Sequence, residues 1–171
     1  MKFIKTILGV LLLLIAVLLL IGVFIPEVDD KFETRIERPV VGVFASMLNT
    51  KDLPNWIKGL DEIKQTSGFL AMPGSTFDLY YQGKETESVY KVEILEMIPL
   101  QLVRFKMQNE MIELDVSLKI EADDLATIVT VYYQGKGKGI VARSFLPLLK
   151  SVLTDELREN LSTFKQLQEQ P

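Results

Sequence analysis

The chain has 171 residues, a formal net charge of −4, and neither cysteine nor histidine. Its length suits one domain plus an appendage, and 48% apolar with 25% charged residues is the balance of a folded protein. The two missing residue types exclude disulfides, thiol nucleophiles, thiolate or imidazole metal sites and a serine–histidine triad. A net acidic charge argues against a nucleic-acid binder, which needs a basic surface.

Ile7 to Ile25 is a 19-residue run without a charge, ILGVLLLLIAVLLLIGVFI. As a helix it is about 28 Å long, close to the roughly 30 Å hydrocarbon core of a bilayer. A cleaved signal peptide has a shorter apolar stretch and small residues at the cut. Here the exit reads Gly22-Val23-Phe24-Ile25-Pro26. A core helix apolar on every side needs a larger protein around it. The expectation is therefore an uncleaved anchor over residues 1–26 that meets the lipid bilayer through residues 7–25, and one soluble domain over 27–171. Lys2, Lys5 and the terminal amine favour a cytoplasmic N-terminus, while Lys31, Arg35 and Arg38 weigh on the other side. The balance favours a single-pass protein with an extracytoplasmic domain.

Beyond the run, Phe32 to Arg38 alternates as a short strand, with Phe32, Thr34 and Ile36 on one face. Pro39 stands where a first helical turn tolerates it, and VVGVFASMLN follows as a helix to Asn49. Asp52 is placed to cap a short turn holding Pro54 and Trp56. From Thr76 the period is two, through TFDLYY, SVYKVEI, LVRFKMQ, MIELDVSLKIE and ATIVTVYYQ. Links this short permit only antiparallel neighbours, and alternation means one buried face, so a meander of about six strands is expected. Gly135 to Gly139 (GKGKG) reads as a flexible turn, and it does not fit a P-loop. From Ser144 to Gln168, Leu149, Leu153, Leu157, Leu161 and Phe164 recur at spacings of three and four. That predicts a helix of about 36 Å, with Ser144 as cap and Pro147 in the first turn. Asp155, Glu156 and Glu159 read as its solvated face.

A strand, two short helices, an antiparallel meander and a long C-terminal helix resemble the helix-grip fold of the START-like (SRPBCC) superfamily, which includes birch-pollen allergens and polyketide cyclase/dehydrase-like proteins. The resemblance runs from about Phe32 to Gln168 and includes the strand ending ERP, the helix VVGVFASMLN, LPNWIKGL with Trp56, and the terminal LPLLKSVLTDELRENLSTFKQLQEQ. It implies an α+β domain, a curved antiparallel sheet wrapped around the last helix, and a cavity for an apolar small molecule such as a lipid, sterol or polyketide-like ring. The residues that would line it are Trp56, Phe77, Leu79, Tyr81, Tyr90, Phe105, Met107, Leu114, Val131, Tyr133, Phe145, Leu149 and Leu153. The same side chains also suit a solid core. No catalytic signature, metal site or cofactor motif is found. Three readings stay open: an anchored module that binds or transfers an apolar ligand, a cyclase- or hydrolase-type enzyme, and an interaction module with a filled core.

Overall fold

A computed structural model describes residues 2–69, 72–82 and 88–170. Helix α1 (Lys2–Phe24) leads into strand β1 (Glu27–Ile36), helix α2 (Val40–Leu48) and a 3-10 turn at Leu53–Asn55. Strands β2 (Leu60–Ser67), β3 (Thr76–Tyr81), β4 (Ser88–Ile98), β5 (Leu102–Gln108), β6 (Ile112–Asp123) and β7 (Ala126–Gly137) follow, then helix α3 (Gly139–Glu169). The sheet order is β1-β7-β6-β5-β4-β3-β2, and every neighbouring pair is antiparallel. Strands β2 to β7 form a six-stranded meander, the last five of them the segments read from Thr76 onward, and β1 closes beside β7.

Alternation places the core. Val28, Phe32 and Ile36 of β1 join Leu114, Val116 and Ile120 of β6 and Val129, Val131 and Tyr133 of β7 beneath Leu146, Leu161 and Phe164 of α3. The opposite sheet face is charged. Arg104 donates two hydrogen bonds to Asp115 across β5 and β6, at 3.0 and 2.8 Å, and Lys106 pairs with Glu113 at 3.2 Å. The far end of α3 is tied down where the Glu169 carboxylate accepts the Glu37 amide at 2.8 Å.

The structure adds one strand that the sequence does not show and corrects two expectations. Strand β2 carries no alternation, because as the sheet edge it is exposed along most of its length, with Leu60 buried and Ile63 half-buried. Gly135 and Gly137 are not a flexible turn. They lie within β7, paired with Leu114 and Ile112 of β6. Glycine is needed there for close packing: a Cβ on Gly135 would meet Leu114 Cδ2 at 3.0 Å and Val28 Cγ2 at 3.1 Å. Finally, α3 starts at Gly139, whose φ of +83° turns the chain sharply out of β7. Pro147 therefore sits inside the helix and not in its first turn.

Candidate functional site

Between the concave sheet and the second half of α3 lies a cavity of about 210 Å³. Its floor is the inward face of β3 to β6, including Phe77, Leu79, Val92, Ile94, Val103, Phe105, Met107, Val116 and Leu118, with Val131 of β7 at one side. Leu157, Asn160 and Leu161 of α3 form one wall. Met47 and Leu48 of α2, with Leu53, Trp56 and Ile57, form the other. That second wall is held against α3 by several contacts, among them a Lys58–Glu159 ion pair at 2.9 Å. The Lys58 amide donates to Asn160 Oδ1 at 3.0 Å, and the Trp56 and Phe164 rings lie 5.0 Å apart.

Seven of the residues expected from sequence line this space: Trp56, Phe77, Leu79, Tyr81, Phe105, Met107 and Val131. Tyr90 stands just outside it, its ring packed edge-on against Tyr81 at 5.3 Å. The other five lie elsewhere. Leu114 is packed solidly against Gly135, and Tyr133 is fully buried under the middle of α3. Tyr133 shares a 2.7 Å hydrogen bond with Thr154 Oγ1, which donates to Asp30 Oδ2 at 3.0 Å, so this polar chain ties β1, β7 and α3 together. Leu153 packs against the main core. Phe145 and Leu149 are 46% and 49% exposed and face away from the sheet. The reason is helical drift: each four-residue step overshoots a full turn by about 40°, so Leu149 is rotated about 120° from Leu161.

Sequence reasoning missed Met47, Leu48, Leu53 and Ile57 of the second wall, Ile63 on the unpredicted β2, and Asn160 and Leu161, whereas Leu157 belongs to the leucine series expected to face the sheet. Val92, Ile94, Val103, Val116 and Leu118 continue the period-two pattern and were findable from it.

Polar groups on the lining are few. Burial pushes the Tyr81 phenol well above its ordinary value, with the Glu156 carboxylate and Tyr90 adding to the shift. Burial and Glu156 raise Tyr90 as well, against a hydrogen bond with Asn109. Both phenols therefore stay neutral at physiological pH and can donate a hydrogen bond. Trp56 Nε1 is buried without a hydrogen-bond partner, which costs about 1–3 kcal/mol. Among the described residues, no group of three or more His, Cys, Asp or Glu side chains is arranged to hold a metal ion.

Compared with family models and with curated proteins, the sequence matches none. Solved structures do match. Ara h 8.0201 is 17% identical with a TM-score of 0.67, over 83% of this chain and 95% of its own. The Zhui aromatase/cyclase from Streptomyces sp. R1128 is 7% identical with a TM-score of 0.70, over 84% and 94%. Truncated norcoclaurine synthase from Thalictrum flavum is 11% identical with a TM-score of 0.65, over 85% and 95%. At these identities the likeness shows the fold, and that fold is the helix grip of the START-like proteins.

Proposed function

We propose that this chain is a membrane-anchored helix-grip module that binds a small apolar molecule between its sheet and α3. The observation that carries the reading is the cavity of about 210 Å³ with its almost wholly apolar lining. About 150 Å³ suffices to hold benzene in an apolar cavity, whereas drug-sized ligands ask for roughly 300–1,000 Å³. The fitting ligand is thus a small ring compound or one section of an acyl chain, with Tyr81 available to donate to an oxygen at its edge. Likeness in fold to an aromatase/cyclase is compatible with a ring compound.

Anchoring is supported by α1, whose Phe3–Phe24 segment is long and apolar enough to cross a membrane and is almost entirely exposed. We assign residues 1–26 to the anchor and 27–171 to the binding domain. Solved structures cover 83–85% of the chain, about the share left once residues 1–26 are set aside. An extracytoplasmic domain is favoured by Lys2 and Lys5 ahead of the span. The reading is tested by native mass spectrometry of a chain starting at Glu27, purified gently without detergent. A co-purifying apolar mass that leaves on mild activation is expected. A clean mass in every preparation, unchanged by added naphthalene or short fatty acid, contradicts binding.

A further inference from the structure

The first half of α3 carries a second apolar surface that the cavity does not use. Val141, Phe145, Leu148, Leu149 and Val152 are 46–57% exposed. At about 100° per residue they fall within an arc of about 100° on the outer face of the helix. About three turns of stripe end abruptly, because Asp155, Glu156 and Glu159 occupy the same face beyond Val152 and are exposed. Large contiguous apolar surfaces of this kind mark a binding partner.

Helix α1 identifies that partner. Gly22 lies against fully buried Ser144, at the edge of the stripe, so closely that a Cβ on Gly22 would stand 2.6 Å from the Ser144 amide nitrogen and Oγ. The two helices cross here almost backbone to backbone. Val23 and Phe24, the residues that follow this contact on α1, are themselves 60% and 79% exposed. Depth follows as well: Gly22 is three residues from Ile25, the last of the uncharged run, or about 5 Å inside its end. An interfacial amphipathic helix buries its apolar face about 5–10 Å into the headgroup and acyl boundary.

We propose that the first half of α3 lies in the leaflet interface where α1 leaves the bilayer, with Phe145 and Leu149 sunk among the lipid chains. This rests on reading α1 as the membrane span. The arrangement fixes the domain against the bilayer in one orientation, since a single anchor alone would leave it free to swing.

The chain contains no cysteine, so single-site labelling needs no background substitution. Full-length Leu12→Cys, Leu149→Cys and Leu125→Cys variants carry an environment-sensitive NBD label in phosphatidylcholine vesicles, with and without brominated lipid. Leu12 is mid-span, and Leu125 is the 81% exposed tip between β6 and β7 at the far end of the sheet. The expected result is at least twofold quenching at 12 and at 149, and less than a tenth lost at 125. Quenching at 12 with none at 149 overturns the proposal and leaves the span intact. A blue-shifted yet unquenched label at 149 also overturns it, since a second copy of the chain then covers the stripe. No quenching at 12 overturns the span itself, and the proposal with it.

Discussion

Leu118→Trp is expected to abolish binding of a small apolar probe while lowering stability by less than about 1 kcal/mol. Leu114→Trp is expected to do the reverse. Both residues lie on β6, on the same concave face and four positions apart, and the chemical change is identical. They differ only in what stands above them. Leu118 borders the cavity, so the added indole enters empty volume and displaces the ligand. Leu114 is 3% exposed and meets Gly135 and its neighbours directly, so the same indole has no room. Overpacking of that kind costs about 1–3 kcal/mol. Urea unfolding and probe titration of the two variants check the pair. Equal stability losses at both positions would mean that the space above Leu118 is already filled.

The largest stability loss is expected at Gly137. A Cβ there would stand 2.6 Å from the Ala142 carbonyl carbon and 2.8 Å from Arg143 Cα, both main-chain atoms of the first turn of α3. Distances below 3 Å from backbone leave no side chain to swing aside. Relief requires separating α3 from the end of β7, where Gly137 is still paired with Ile112. Gly137→Ala should therefore cost about 3 kcal/mol or more, the upper end of what overpacking produces. In a domain of this size that is a fall of roughly 10 °C in the melting temperature. Gly42→Ala provides the comparison. No atom lies within 4 Å of its Cβ position on α2, and alanine is the better helix former, so it should be neutral or slightly stabilising. A Gly137→Ala protein that melts with the wild type would show that β7 and α3 do not approach as described.

These two positions show what the sequence makes legible. Alternation in β3 to β7 identifies the strands, their inward face and, through short links, their antiparallel order, because a half-buried strand writes its burial into every second residue. Alternation cannot distinguish Leu114 from Leu118. Both are inward leucines, and whether one meets packed atoms or empty space depends on distant parts of the chain, Gly135 for one and the α2–Trp56 wall for the other. Strand β2 escapes because an edge strand exposed along most of its length has no pattern to write. On α3 the leucine series is visible but its direction is not. Leu157 and Leu161 face the cavity, while Leu149 has drifted to the outer surface, and only the seating of the helix on β1 and β7 decides between them. In GKGKG, Gly135 and Gly137 mark close approach and only Gly139, with its positive φ, makes a turn. Where periodicity is present it suffices for the element, and tertiary contact is needed for the role.

The central claim is that the cavity is open to a ligand, and methyl-resolved NMR of a chain starting at Glu27 tests it most directly. Naphthalene is added to saturation, and the methyl signals of Ile63, Met107, Leu118 and Leu157 are followed alongside those of Ile36, Val43 and Leu114. The four cavity methyls should shift together along one saturation curve, and the three packed-core methyls should stay in place. Shifts that never saturate, or that are as large at Ile36 and Leu114 as at Leu118, would contradict a defined binding cavity and leave the concave face as solid core.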